Sequence, residues 1–233
     1  MLHVRRRLLC TAQRARGEDL SRPVFSAAYY EEEAAHRRYF YFVDERGRLY
    51  LDEHWPKGIA TCLRAPKFLD FFFSPRNLRV ESVGGLPGSR SLFGFISHCG
   101  KERNFVRAAA TPVVFHSLYR KALGVADGAS ATDAASSADA TSAEAGSMLG
   151  YAHSLEQRFD PRSLRVCQQS GRLFHKLGVS PGGMALLRTD LAEELGRSLE
   201  GRAGGGFSLR WEDETVHLPW LEEEDDHLIG ACR

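Results

Sequence analysis

The sequence predicts an α+β protein, made of two hairpin–helix–antiparallel-sheet units joined by a disordered Ala/Ser-rich insert. Three observations support this fold class: an aromatic hairpin pattern near residue 47, a helix pattern in each half, and short strand-like runs after each helix. Two short matches recur at the same separation of 124 residues, which leads us to hypothesise an internal duplication. They pair Gly47-Arg48-Leu49-Tyr50 with Gly171-Arg172-Leu173-Phe174, and Leu63-Arg64 with Leu187-Arg188.

The first unit, residues 36–123, begins with the hairpin HRRYFYFVDERGRLYLDE at positions 36–53. Gly47 can supply the positive φ that a short hairpin turn needs. Both faces of the first strand are aromatic or aliphatic, so we expect the strand to be covered on both sides. The acids at the strand ends, Asp52 among them, are expected to be solvated charges.

A helix is predicted between Pro66 and Pro75, because proline is tolerated in a first helical turn and cannot continue a helix. Strand-like runs follow the helix and predict a small antiparallel meander. They are Leu78–Val83, Leu92–Ser97, Asn104–Arg107 and Pro112–Leu118.

Residues 124–148 consist almost entirely of Ala, Ser, Thr, Gly and Asp, and they predict a disordered insert because nothing apolar offsets the entropy of ordering them. The second unit, residues 149–233, contains a helix pattern at positions 184–200. Leucines there recur every four residues and predict one apolar stripe. The stripe consists of Leu187, Leu191, Leu195 and Leu199. The acidic cluster at 222–226 is predicted to be a solvated tail.

The first 16 residues carry five Arg and no acid, and the remainder has 26 basic against 30 acidic residues. This Arg-rich composition is typical of a mitochondrial transit peptide, with a disordered basic tail as the alternative. We therefore assign residues 1–35 to a transit peptide and linker, and we expect a mitochondrial matrix protein. The weakly acidic remainder argues against a nucleic-acid partner. No apolar run approaches the roughly 20 residues that cross a bilayer.

The stretch SHCGKERNF at positions 97–105 is the densest group of polar side chains with chemical potential. On one interpretation Gly100 makes a turn, and Glu102 and Arg103 merely satisfy backbone groups or each other. On the other, the turn presents a binding surface, because Arg103 can form a forked contact with a carboxylate or phosphate. Glu102 would then orient Arg103 or meet a basic partner, and Asn104 would fix the turn or the ligand.

We predict a non-catalytic binding or assembly module that recognises a small anionic ligand or a mitochondrial protein partner. The predicted binding residues are Cys99, Gly100, Glu102, Arg103, Asn104 and Arg107. A thiol-dependent enzyme with Cys99 as nucleophile is an alternative, and it would need a histidine from elsewhere in the fold. A structural subunit of a larger mitochondrial complex is another. The five cysteines lie far apart without C-x-x-C, so no disulfide framework, metal site or cofactor is predicted.

Several motifs together resemble uncharacterised protein family 0598, a eukaryotic family of small mitochondrial proteins. They are YFYFVDERGRLYLDE, Thr61-Cys62 with Phe68-Leu69, SHCGKERNF and PVVF. The resemblance covers roughly residues 36–118 and extends more loosely through GRLFHKL, GGMALLRTDLAEEL and SLRW.

The signature of that family falls on Cys99, Gly100, Glu102, Arg103, Asn104 and Phe105. His98 and Lys101 fall on its unspecified positions. The insert at 124–148 departs from the family pattern. The resemblance implies a mitochondrial address and an α+β repeat, and it implies no reaction. The layout is also faintly similar to that of a bacterial family, domain of unknown function 1285.

Overall fold

The computed structural model describes residues 19–81, 92–122, 145–202 and 206–222. Within these residues the chain forms three α-helices and fifteen strands. The helices are α1 (Ala27–Ala35), α2 (Pro66–Phe73) and α3 (Thr189–Gly196). The strands are β1 (Arg38–Val43), β2 (Leu49–Leu51), β3 (Leu78–Val80), β4 (Phe95–Cys99), β5 (Glu102–Ala108), β6 (Val114–Phe115), β7 (Ser117–Ala122), β8 (Ala145–Tyr151), β9 (Leu155–Arg158), β10 (Leu164–Val166), β11 (Leu173–Lys176), β12 (Met184–Leu187), β13 (Leu199–Gly201), β14 (Phe207–Trp211) and β15 (Glu214–Leu218).

The predicted α+β fold of two hairpin–helix–antiparallel-sheet units is wrong, because the described chain is mainly β-structure in four sheets. Their strand orders are β2-β1-β5-β4-β3, β10-β11-β12-β6, β13-β14-β15 and β7-β8-β9. β1 lies parallel to β5, and β12 lies parallel to β6, so neither of the two larger sheets is purely antiparallel. The β6–β12 pairing also joins the two halves of the sequence in one sheet. The helices are only eight or nine residues long and lie against the sheets.

Two local predictions in the first half are confirmed. Gly47 adopts φ +77° in the β1–β2 turn, and the backbone there lies so close to Val114 that an added Cβ would be 3.1 Å from the Val114 Cβ. Helix α2 begins at Pro66 and ends at Phe73, just before Pro75. Both results follow from backbone chemistry that acts within a few residues.

The helix predicted at 184–200 is too long. Met184–Leu187 is strand β12, in which Leu187 pairs with Phe115 of β6. Only Leu191 and Leu195 of the leucine stripe lie in α3, where both are buried. Partner strands from distant sequence positions therefore override a regular four-residue spacing.

Helix α1 lies in the range that the sequence analysis treated as a linker. Its local signal is Ser26, whose hydroxyl accepts a hydrogen bond from the Tyr29 amide and caps the helix. Strand β8 begins at Ala145, inside the predicted insert. Residues 124–144 of that insert lie outside the described residues, as do the predicted transit peptide up to residue 18 and positions 223–226 of the acidic cluster.

In the five-stranded sheet, strand β1 is covered on both faces, as its apolar residues predict. One face, which we call the core face, packs Tyr41, Val106 and Phe95 against α2 and the second half of the chain. The other, the outer face, packs Phe40 and Phe105 under α1 and the side chains of Phe25 and Phe93. Successive residues of each strand alternate between these two faces.

A buried ion pair on the outer face fastens the chain before α1. Arg107 Nε donates to Asp52 Oδ1 at 2.6 Å, and the Asp52 side chain has no exposed surface. The guanidinium also donates to the carbonyls of Leu20 and Arg22. Asp52 Oδ2 accepts from the Tyr30 hydroxyl at 2.6 Å. The expectation that Asp52 is a solvated charge is therefore wrong, because the segment before α1 covers it.

We expect Arg107→Ala to destabilise the fold by about 3–5 kcal/mol, because it leaves the Asp52 carboxylate buried without its partner. Urea unfolding followed by circular dichroism measures the change. The matched control is Arg210→Ala, which removes the pair with Glu200 in which both side chains are about two-thirds exposed. That variant should lose less than about 1 kcal/mol. Equal losses in the two variants would contradict a dominant role for the buried pair.

Candidate functional site

The predicted turn in SHCGKERNF is a two-residue hairpin connection between β4 and β5. Cys99 pairs with Glu102 across it, and Gly100 and Lys101 form its tip. Gly100 adopts φ +65°, which places it in the left-handed region that glycine enters without steric cost. The turn therefore exists where the sequence placed it, and its tip is exposed.

Strand alternation divides the predicted binding residues between the two faces of the sheet. Cys99, Glu102 and Asn104 belong to the core face, whereas Arg103 and Arg107 belong to the outer face. The predicted residues therefore do not converge on one ligand. They form a buried polar group on one side and a basic group on the other.

Asn104 holds the core face together at this end of the sheet. Its Nδ2 donates to the Ser97 carbonyl at 3.0 Å, and the Ser97 hydroxyl donates to the Phe72 carbonyl of α2 at 2.8 Å. Asn104 is only 1% exposed. Its amide therefore ties β5 to β4, and Ser97 ties β4 to α2, which gives Asn104 a structural role in the hairpin.

Cys99 is half-buried beside these groups. Its Sγ lies 3.8 Å from the Ser97 hydroxyl, and burial together with the nearby Glu102 carboxylate raises the pKa of the Cys99 thiol. Asn104 is its other polar neighbour. Within the described residues, then, the groups that act on this thiol include no histidine. A nucleophilic cysteine needs a lowered pKa, so these surroundings disfavour the thiol-enzyme alternative.

The outer face carries three basic side chains side by side, which we call the basic row. Arg38 of β1 pairs with Arg103 of β5, and Arg103 pairs in turn with His98 of β4. Residues in direct register lie about 5 Å apart, so like charges there repel. Arg38 forms an ion pair with Glu33 of α1, in which Arg38 Nε lies 2.9 Å from Glu33 Oε2.

The middle of the basic row is open to solvent. Arg103 and His98 are exposed, as is Lys101 at the turn tip. Among the residues that the structure describes, no carboxylate forms an ion pair with any of these three side chains. Arg103 and Lys101 thus present uncompensated positive charge at the end of the sheet, beside the imidazole of His98.

Arg107 lies further along β5 and belongs to a different environment. It is 8% exposed, and its guanidinium is occupied by Asp52 and by the carbonyls of Leu20 and Arg22. Sequence reasoning grouped Arg107 with Arg103 because both follow the turn. The structure separates them, since the chain before α1 covers one and not the other.

Lys57 is a polar residue of the outer face that sequence reasoning missed. Its Nζ donates to the carbonyls of Asp52 and His54, and it lies 5.5 Å from the centre of the Phe42 ring. Burial, with Arg107 adding repulsion, lowers the pKa of Lys57 to about 8. No short motif in the sequence marks this lysine.

The described part of the chain contains neither a candidate metal site nor a candidate membrane-spanning helix. No group of three or more His, Cys, Asp or Glu side chains there is arranged to hold a metal ion. None of its helices combines the length and the apolar character that crossing a membrane requires.

We expect iodoacetamide to alkylate Cys99 more slowly in the native protein than in urea at pH 7.5, because a raised pKa leaves less thiolate at a given pH. Mass spectrometry of the Cys99 peptide measures both rates. Both alkylation rates are measured as a function of pH. A raised pKa shifts the pH at which the native rate increases to a higher value, whereas steric shielding of the thiol lowers the native rate at every pH. Faster alkylation in the native state would revive the thiol-enzyme alternative.

Comparison with known proteins gives a family without an assigned activity. The chain is similar to a solved structure of a DUF1285 family protein from Silicibacter pomeroyi DSS-3. The superposition covers 79% of this chain and 82% of that protein, with 14% sequence identity and a TM-score of 0.43. A TM-score below 0.5 does not establish a shared fold or a shared function. The profile of the domain of unknown function DUF4505 matches residues 30–222. This match corrects the resemblance to uncharacterised protein family 0598, and the chain belongs to the DUF4505 family.

Proposed function

We propose that this protein is a binding protein that recognises an anionic group, a carboxylate or a phosphate, at the basic row of its five-stranded sheet. The observation that carries the proposal is the register of Arg38, Arg103 and His98 across three neighbouring strands. An anion over the middle of this row would relieve the repulsion between the basic side chains and make charge-assisted hydrogen bonds with Arg103.

The arrangement also suits recognition rather than chemistry. Arg103 lies on a strand and Lys101 in a two-residue turn, and both are exposed, so a ligand can reach their charged groups from solvent. Gly100 adds no side chain at the tip, so the Lys101 ammonium is not crowded by its neighbour in the turn. Asn104 contributes indirectly, because its hydrogen bond to Ser97 holds β4 and β5 in register.

An acidic segment of a protein and a small polyanion would both offer the required group. The two sources share the same contact chemistry at Arg103 and differ in how much of the turn they cover. Attraction of this kind between exposed charges weakens as salt is added, because the Debye length falls to about 8 Å at physiological ionic strength.

The test is an NMR titration of ¹⁵N-labelled protein with pyrophosphate and, separately, with a glutamate-rich peptide. The amides of His98, Lys101 and Arg103 should shift, and Arg103→Glu should weaken binding at least about tenfold, because a charged hydrogen bond contributes about 1.5–3 kcal/mol. Pyrophosphate alone would identify a small anion, and the peptide alone an acidic protein segment.

The matched control is Arg46→Glu, which makes the same charge reversal at an exposed arginine in the β1–β2 turn. It should bind like the wild type. Equal weakening by both variants would mean that net charge and not the basic row attracts the anion, and the proposal would fail. A thermal melt of each variant confirms that it is folded.

A further inference from the structure

Two neighbouring cavities are lined by residues of β7, β8, α3 and the β14–β15 turn, none of which belongs to the basic row. Their volumes are about 600 Å³ and about 330 Å³, within or near the range of small-molecule sites. They share Ser147 of β8, Trp211 of β14 and Glu212 as common walls. The β14–β15 turn therefore stands between them, and a ligand on Trp211 could extend into both.

Trp211 gives the cavities an aromatic wall in a fixed position. Its ring centre is 4.7 Å from that of Phe159, at an interplanar angle of 66°. Phe159 is buried and in turn lies 5.5 Å from the buried His175 ring. The indole itself is only half-buried, so part of it faces the cavities. Indole is the best aromatic partner for a cation, through its negative ring face.

The charged groups around the cavities are mainly acidic. In the larger cavity four carboxylates face two guanidiniums: Asp160, Glu212, Asp213 and Glu214 against Arg158 and Arg162. The smaller cavity has Glu194 and Glu212 against Arg120.

Ion pairs do not cancel this excess. Arg162 pairs with Glu214 at 2.6 Å, and Arg120 pairs with Glu212 at 3.1 Å. Within the described residues, Asp213 of the larger cavity forms no ion pair, and neither does Glu194 of the smaller one. Among the described residues Arg158 of the larger cavity forms no ion pair either, so the unpaired groups are Asp160 and Asp213 against Arg158 there, and Glu194 in the smaller cavity, which leaves each cavity with a net negative charge.

The backbone conformation of Glu212 sets the shape of the β14–β15 turn. Glu212 adopts φ +52°, in the left-handed region that disfavours residues with a Cβ. The turn between β4 and β5 has the same register and uses Gly100 at the corresponding place, with φ +65°. A glutamate in a glycine position destabilises the turn, as at Arg37 and Ala152, the other described non-glycine residues with positive φ. Here it holds a carboxylate where the two cavities meet.

We propose that the two cavities bind an aliphatic diamine or polyamine, with one ammonium group in each cavity. One ammonium would lie against Trp211 and the carboxylate of Asp213, and the other near Glu194. The Glu212 carboxylate, where the cavities meet, would attract both ammonium groups. An extended aliphatic chain would cross the apolar part of the Trp211 wall. This site takes a cation and is separate from the basic row, so it does not depend on the proposed anion binding.

The test uses two probes of the same chain length that differ in charge, 1,6-diaminohexane and 1,6-hexanediol. Each is titrated into ¹⁵N-labelled protein while the three indole N–H resonances are followed, with Trp211→Phe identifying that of Trp211. The diamine should shift the Trp211 resonance and leave those of Trp55 and Trp220 in place. The diol should have no effect up to a concentration tenfold higher.

Two variants separate binding from folding. Glu212→Gly should raise the midpoint of thermal unfolding, because glycine accepts the positive φ, and it should weaken diamine binding about fivefold or more. Glu53→Gln removes an exposed carboxylate elsewhere on the surface and should leave binding unchanged.

Four results would overturn the proposal. Equal binding of the diol would show that the cavities recognise an apolar chain and not a cation. Equal weakening by Glu53→Gln would show attraction to net charge alone. An unshifted Trp211 resonance at saturating diamine would show that the cavities are not the site. A lysine-rich peptide that binds at Trp211 while the diamine does not would assign the cavities to a protein partner, which also contradicts a small-amine site.

Discussion

The ion pair between Arg107 and Asp52 is the interaction on which the first half of the structure depends. Two buried charges are stable only when each has a partner and its remaining hydrogen-bonding positions are filled. Here strand pairing brings the two charged side chains together. β5 lies parallel to β1, and the Asp52 amide donates to the Phe40 carbonyl of β1 at 2.8 Å, so both charged residues are fixed to the same strand.

The same pair explains why the segment before α1 belongs to the fold. The carbonyls of Leu20 and Arg22 and the amide of Val24 complete the hydrogen bonds of the ion pair. The Tyr30 hydroxyl completes them from within α1. Helix α1 is thereby held over the aromatic residues of the outer face, which would otherwise be exposed.

Strand β5 shows how alternation assigns different roles to neighbouring residues. Asn104 turns inward and holds the hairpin in register, while Arg103 turns outward into solvent. Arg107 lies on the same face as Arg103 and is nevertheless buried. The difference comes from what covers each position, because the chain before α1 reaches one end of the strand and not the other.

The two proposed sites have opposite electrostatic character for a related reason. The basic row arises where three strands place two arginines and a histidine in register at a sheet end. The Trp211 cavities arise where the β14–β15 turn meets the β7–β8–β9 sheet. The formal net charge of the sequence is only +1, so net charge indicates neither the basic row nor the acidic cavities. Local charge, and not net charge, therefore decides what each surface attracts.

Local features were predictable from the sequence alone. The turns at Gly47 and Gly100 follow from a glycine between two strand-like runs, and the limits of α2 follow from Pro66 and Pro75. These features depend on backbone sterics within a few residues. The two-sided burial of β1 was predictable for the same reason, since its pattern is apolar on both faces.

The fold class, the burial of Asp52 and the Trp211 cavities were decided only by the tertiary structure. The β1–β5 and β6–β12 pairings join residues about 65 and about 72 positions apart, and no local pattern specifies such partners. The four-residue leucine spacing at 184–200 predicted one long helix, yet Leu187 became part of a strand because Phe115 was its neighbour in space. Sequence periodicity determines which face of a helix or strand is apolar. Packing between elements distant in sequence determines which other element that face contacts.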